Sequence, residues 1–215
     1  MSASKRNKGK ELLKKIIITL VSVLIMGIAL SVLGIIDEGM DSFTYMNISI
    51  SDSMGWSLGN WEILLNVILF IPVILWGRKH IGLGTLFNMT LVGYTIDVCS
   101  WFWSKTDIAK WIEILPLRIA IMLVAVAIFV FAAAFYMSTD LGTSPCDALP
   151  MMFSERFIKI PFKLVRFLWD AILVLIGFIF SGKVGIVTIL MVLFLGQTIA
   201  LVRNWMRRGT YNENE

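Results

Sequence analysis

Six long apolar stretches limit what this chain can fold into. They cover residues 16–36, 61–77, 81–103, 117–138, 164–181 and 184–203, and each is near the roughly 17–25 residues with which a helix crosses a bilayer. Hydrophobic residues make up 58% of the chain and charged residues 16%, against about 45–50% and 25% in soluble domains. Little of the chain is left for a soluble domain. The sequence therefore predicts an all-α integral membrane protein with six transmembrane helices.

The basic residues predict the orientation of these helices. If the amino terminus is cytoplasmic, fifteen Lys and Arg lie on the cytoplasmic side and only Lys105, Lys110, Arg118 and Lys183 lie outside. The positive-inside rule favours this arrangement, so we predict a multi-pass protein of the plasma membrane with both termini cytoplasmic. The net charge of +4 follows from this topology, and we expect no nucleic-acid partner. A basic tail before 16–36 also resembles a secretory signal, but the apolar core is longer than is typical.

The two halves of the chain repeat each other at an offset of 103 residues. IGLGTLFNMTLVGYTI (81–96) aligns with VGIVTILMVLFLGQTI (184–199), and one residue of slip aligns NVIL (66–69) with DAIL (170–173). Because each half holds three spans, the second half enters from the opposite side, as in the inverted repeats of many secondary transporters. We predict a basic cytoplasmic tail (1–15), a first three-helix repeat (16–103), an extracytoplasmic linker (104–116), a second three-helix repeat (117–205) and a cytoplasmic tail (206–215).

Both long polar connections contain the signature of a helix start. In DLGTSPCDALP (140–150), Ser144 can cap a helix, Pro145 suits its first position, and Asp147 can close a capping box. Asp41 and Thr44 occupy the aligned positions of the first half. We expect a helix over 145–149 that Pro150 kinks or ends, and short interfacial or re-entrant helices in both connections.

These residues also resemble a known family. GTSPCDAL (142–149), together with the IGLGT segment that leads into GYTID (93–97), is similar to the YczE/YyaS/YitT-like bacterial membrane proteins. The resemblance covers most of residues 16–205 and is carried by Gly142, Pro145, Asp147 and Leu149 and by Gly82, Gly84 and Thr85. The amino-terminal copy departs from the pattern, with Ser42 and Thr44 in place of Pro145 and Asp147. The resemblance implies a small polytopic protein of the plasma membrane and supplies no substrate.

Polar residues inside the apolar stretches are the candidates for a ligand site, because burying them in lipid is costly. Asp170 and Asn66 align on the two shortest spans, and we predict that they line one polar site between the halves, with Asp97 near its outer mouth. The remaining candidates are Ser144, Asp147 and Gln197. Structural roles stay open for some of these residues: Arg166 can pair with Asp170 one turn away, Gln197 can bond between helices, and Asp97 can be solvated. Glu62 and Arg166 align near opposite surfaces and can snorkel.

The leading functional prediction is a secondary transporter or permease-like protein for a small polar solute. The ends of the short helices would favour an anionic or zwitterionic solute. Its predicted partners are the lipid bilayer, the solute and a second copy of the chain. Two alternatives stay open, a non-transporting accessory protein that stabilises a partner and a substrate-binding subunit of a multi-component importer. With one His, no CxxC and cysteines (Cys99 and Cys146) near opposite membrane faces, we expect no enzyme, metal site, cofactor or disulfide.

Overall fold

All regular secondary structure in the described part of the chain is helical. The computed structural model describes the backbone of residues 2–108, 112–156 and 160–212, and side chains within 9–108, 112–156, 160–198 and 201. In these ranges it has eight α-helices and no strand: α1 (Ser2–Ile36), α2 (Ser42–Met54), α3 (Leu58–Trp76), α4 (Leu83–Trp103), α5 (Leu115–Ser138), α6 (Pro145–Arg156), α7 (Phe162–Ile179) and α8 (Ile186–Asn212). The all-α class is confirmed. Lys110 of the predicted outer linker lies outside the described residues.

The predicted stretches all fall in helices, with differences at the ends. The first helix begins at Ser2, so the predicted tail at 1–15 is largely helical. The expected helix over 145–149 is too short, since α6 continues through Pro150 to Arg156. A proline inside a helix removes one N–H donor, and the turns on both sides of Pro150 remain helical.

Three stretches of the described helices are long and apolar enough to cross a membrane: Gly9–Ile36 within α1, Leu58–Trp76, which is α3, and Leu115–Ser138, which is α5. The segment Ile186–Thr198 of α8 is apolar but shorter. The sequence of α7 includes Lys163, Arg166 and Asp170 among its 18 residues, which lowers its apolar character. The structure thus gives a helical protein with apolar helices of membrane-spanning length, and the set of six spans stays a prediction.

The core forms where α1 packs along α4 and α5. Val23, Leu30 and Leu33 of α1 are almost fully buried in it, together with Ala133 and Ala134 of α5. Small alanines let helix backbones approach closely. Many large apolar side chains on the outer faces of the helices are exposed in the isolated chain, as expected for surfaces that meet lipid.

One backbone contact occurs twice, 103 residues apart. The N–H of Gly84 donates to Leu141 O at 2.8 Å, and the N–H of Val187 donates to Glu38 O at 2.9 Å. In each case the loop after the first helix of one half lies on the start of the last helix of the other half. The loops that cross in this way, 37–40 and 140–143, are called the crossing loops below.

Glycines allow the crossing loops to lie this close. Gly39 and Gly142 have φ angles of +94° and +101°, a backbone region that favours glycine. A Cβ at Gly142 would lie 2.5 Å from Gly82 N and 2.5 Å from Thr85 Oγ1. The two halves therefore share the backbone conformation of the loop as well as its contacts.

Candidate functional site

The starts of the two short helices meet at one buried cavity. Asp41 caps α2, with Oδ2 accepting the N–H of Thr44 at 3.1 Å. Ser144 caps α6, with Oγ accepting the N–H of Asp147 at 3.0 Å. Both predicted helix starts are confirmed. All four residues line a cavity of about 60 Å³, which exceeds the ~10–15 Å³ that a single water molecule needs.

The polar lining of this central cavity comes from six different helices or their caps. The charged and hydrogen-bonding residues that line it include Asp41, Glu62, Asn88, Tyr136, Asp147 and Arg166. These side chains are largely buried, since Glu62 is only 3% exposed and Tyr136 only 1%. Each buried polar group needs a partner, so the arrangement of the charges decides what the cavity can hold.

Arg166 is the centre of a network that joins α2, α6 and α7. It donates from Nη1 to Asp147 Oδ1 and from Nε to Asp170 Oδ2 at 2.9 Å. The hydroxyl of Ser144 donates to Asp147 Oδ2 at 2.8 Å, and the hydroxyl of Ser42 donates to Asp170 Oδ1 at 2.7 Å. The pair of Asp170 with Arg166, one of the two readings of Asp170, is confirmed. Each of these carboxylates is bound by the guanidinium and by a hydroxyl.

Asn66 is buried apart from this network. Its side chain is fully buried, and neither Oδ1 nor Nδ2 has a hydrogen-bond partner in the described part of the chain. Neither Asn66 nor Asp170 lines the central cavity. The candidates that line the cavity are Ser144 and Asp147, with Asp170 directly behind Arg166.

Asp97 holds the start of α3 in place. Its Oδ1 accepts the N–H of Leu58 at 3.1 Å and its Oδ2 accepts the N–H of Gly59 at 2.8 Å. It also lines a second, wider pocket of about 770 Å³ near the end of α1, whose other charged residues are Asp37, Asp52 and Lys183. Asp97 is thus a helix cap that also borders this pocket.

Gln197 lies on an exposed face of α8. Its Nε2 donates to Leu193 O of the same helix at 3.4 Å. It does not line either of the two pockets, so this candidate is not brought to the cavity.

The positions of the Glu62 and Arg166 side chains were predicted wrongly from the sequence. The expectation that they snorkel to opposite surfaces is wrong, because both line the central cavity and the Arg166 side chain is only 17% exposed. A Cβ at Gly93 would overlap Glu62 Oε2, and a Cβ at Gly196 would lie 3.5 Å from Arg166 Cγ. The signal was present in the repeat, which aligns these two residues and these two glycines with each other.

Cys146 also lines the cavity, and it is 2% exposed. Trp169 Nε1 donates to its Sγ at 3.3 Å. Burial raises the pKa of the Cys146 thiol, so the thiolate that reacts with thiol reagents is scarce near neutral pH. Cys146 is therefore a natural reporter of whether the cavity opens to water.

Comparison with known proteins places this arrangement in a family. The model of a family of unknown function, DUF6198, matches residues 13–204. The chain belongs to this family. A Haemophilus influenzae protein described as "Uncharacterized protein" is 26% identical over 189 residues, which is 84% of this chain and 82% of that protein. "Uncharacterized protein YyaS" of Bacillus subtilis is 26% identical over 196 residues, 90% of this chain and 94% of YyaS.

A third relative supports the membrane assignment of this DUF6198 member. "Uncharacterized membrane protein YczE" of Bacillus subtilis is 26% identical over 116 residues, 54% of this chain and 50% of YczE. The resemblance to YczE and YyaS read from the motifs is confirmed. No solved structure matches the chain significantly. The apolar helices and this relative together indicate a membrane protein.

Proposed function

We propose that this DUF6198 member is a secondary transporter or permease-like protein for a small polar solute. The observation that carries the proposal is the meeting of two short helix starts, one from each half, at one buried polar cavity. In transporters built from internal repeats, substrate sites lie at the repeat interface and use broken or short helices. Charged residues inside a membrane protein are costly and mark sites of this kind.

The proposed architecture is two inverted three-helix repeats in the plasma membrane. Helices α1, α3 and α4 would cross in the first half and α5, α7 and α8 in the second, with α2 and α6 re-entrant and both termini cytoplasmic. The twofold occurrence of the Gly84–Leu141 and Val187–Glu38 hydrogen bonds supports this proposal. The lipid bilayer and a second copy of the chain remain its predicted partners.

The charges around the cavity revise the expected solute. Among the described residues, three acidic residues and one cation line the cavity: Asp41, Glu62, Asp147 and Arg166. A fourth acidic residue, Asp170, binds Arg166 from behind. The helix starts, which would attract an anion, already have acidic residues, because Asp41 caps α2 and Asp147 lies in the first turn of α6. The arrangement therefore supports a neutral or positively charged polar solute over a free anion.

Uptake into vesicles tests the proposal. Proteoliposomes that contain the purified chain would be incubated with a mixture of isotope-labelled amino acids, polyamines and sugars, and their contents measured by mass spectrometry. We expect at least one solute to accumulate with wild type and not with Asp147→Asn. Glu155→Gln, which changes a half-exposed acid outside the cavity lining, is the matched control and should transport normally.

The reactivity of Cys146 tests the same proposal without a known solute. Cys99→Ser leaves Cys146 as the single cysteine. If the cavity opens alternately to the two sides, a small thiol reagent modifies Cys146 slowly, and a transported solute changes the rate. A Cys146 that stays equally protected with every solute, together with no uptake by a folded protein, would contradict the transporter and favour an accessory role.

A further inference from the structure

The central cavity has more acidic groups than its one cation can neutralise. Asp147 and Asp170 both bind Arg166. In the described part of the chain, no Lys, Arg or His lies within 4.0 Å of the carboxyl groups of Asp41 or Glu62. Two carboxyl groups are thus left facing the cavity without a positive partner.

These two carboxyl groups are also short of hydrogen bonds. Glu62 is 3% exposed, packs against Gly93 and makes no hydrogen bond to the described residues. Asp41 uses Oδ2 to cap α2, while its buried Oδ1 has no partner. The buried hydroxyl of Tyr136, on another wall of the cavity, has none either. Buried polar atoms without a partner around one cavity indicate a site for a small polar group such as water or a proton.

The remaining walls offer no other group to balance the charge. The lining residues from α1 and α8 are apolar, as are those of α5 apart from Tyr136. Asn88 is the polar lining residue of α4, and α6 contributes Ser144, Cys146 and Asp147. A proton removes the charge of a buried carboxylate and turns one of its oxygens into a donor. A cavity of about 60 Å³ has space for the water that delivers it.

We propose that the central cavity is a proton-binding site in which Glu62, with Asp41 beside it, holds an exchangeable proton that couples transport to the proton gradient. Hydronium gives its proton to a Glu62 carboxylate oxygen and leaves as water, and release reverses this step. Once Glu62 is charged, Arg166 is the cation on the cavity wall that can turn toward it, which weakens the bonds of Arg166 to Asp147 and Asp170. The coupling rests on the proposed transport, whereas the proton binding stands by itself.

Infrared spectroscopy of the purified protein tests the proton binding. Wild type near neutral pH should show the carbonyl stretch of a protonated carboxylic acid, which shifts in D₂O and is lost on raising the pH. Glu62→Gln should lack this band and unfold at a temperature equal to or above that of wild type, because Gln resembles the neutral acid. The matched control, Glu155→Gln, should keep the band. A band that is absent from wild type, or that persists unchanged in Glu62→Gln, would overturn the proposal.

Vesicles with a pH gradient test the coupling separately. With the labelled solute mixture used as the probe, we expect uptake by wild type to change at least several-fold with the gradient, and exchange by Glu62→Gln to be independent of it. Uptake that ignores the gradient in wild type would overturn the coupling while leaving transport intact. A protonated band without uptake of any solute would overturn the proposed transporter and support the proton site.

Discussion

The crossing loop at Gly142 gives the sharpest test of the structure. In Gly142→Ala, the new Cβ would lie 2.5 Å from the backbone N of Gly82 and 2.9 Å from its Cα. Both atoms belong to the start of α4, so the overlap cannot be relieved by turning a side chain. The φ angle of +101° adds strain for any residue with a Cβ.

Comparison with a second glycine of positive φ separates the cost of backbone strain from the cost of steric overlap. Strain at an unfavourable φ costs about 1–3 kcal/mol, and overpacking a closed site costs about 1–3 kcal/mol more. Gly142→Ala should therefore destabilise by about 2–6 kcal/mol. Gly55 has a φ of +67° but nothing within 4 Å of a Cβ, so Gly55→Ala should cost only the strain, about 1–2 kcal/mol.

Thermal unfolding of the purified variants measures the difference. We expect the order of unfolding temperatures to be Gly9→Ala, then Gly55→Ala, then Gly142→Ala from highest to lowest, since Gly9 is helical with open space around it. For a chain of this size, 1 kcal/mol corresponds to roughly 2–4 °C. Gly39→Ala should match Gly142→Ala, because its Cβ would lie 2.9 Å from Thr188 N.

Two results would refute this reasoning. If Gly142→Ala unfolds at the same temperature as Gly55→Ala, the loop does not lie on the start of α4. If Gly142→Ala is severe and Gly39→Ala is tolerated, the two crossing loops are not equivalent and the repeat loses its structural support.

Three further predictions concern other parts of the chain. Asp97→Ala removes the acceptor of two N–H groups at the start of α3 and should cost about 0.5–2 kcal/mol in thermal unfolding, with Asp97→Asn milder; equal stability of wild type and Asp97→Ala would contradict the cap. In a Cys99→Ser/Cys146→Ser background, a membrane-impermeant thiol reagent on intact cells should label Asp52→Cys and leave Glu155→Cys unmodified, since both positions are exposed and lie on opposite sides in the proposed topology; the opposite pattern would reverse the proposed orientation. Lys79 lies 2.7 Å from Glu155 and, together with His80, lowers the pKa of that carboxyl below its ordinary value of 4.5. The small stabilisation, below about 1 kcal/mol, should be present above pH 4.5 and fade as the pH falls through the lowered pKa, and unfolding curves of Lys79→Met should show less of it, since His80 still lies 3.7 Å from Glu155.

Features that depend on local spacing could be read from the sequence. The caps of Asp41 and Ser144 follow from residues three positions apart, and the pair of Arg166 with Asp170 follows from a separation of four. The apolar stretches located the helices to within a few residues at most ends. These features depend on interactions between residues three or four positions apart, so the order of residues is enough to predict them.

Features that depend on helix rotation and close approach could not be read in the same way. Glu62 is near the start of α3, where a sequence reading puts it at the surface, but the start of α2 adds a further wall and encloses it in the cavity. Asp97 binds the backbone of α3 because Gly59 and Gly93 bring α3 and α4 together. Only the alignment of Glu62 with Arg166 hinted that these two charges face the same space.

The crossing loops also govern the order in which the chain can be completed during synthesis. The N–H of Met40 donates to Thr188 Oγ1, a hydrogen bond that spans 148 positions. The carbonyl of Glu38 likewise accepts the N–H of Val187. When the first half emerges from the ribosome, Arg118 is the first later residue that can bind Glu38 of this loop, and the two bonds to the start of α8 form only after nearly all of the remaining chain has been made. Docking of the last helix, α8, therefore completes the hydrogen bonds of the first half. In a chain that stops before residue 184, the loop 37–40 lacks these two bonds.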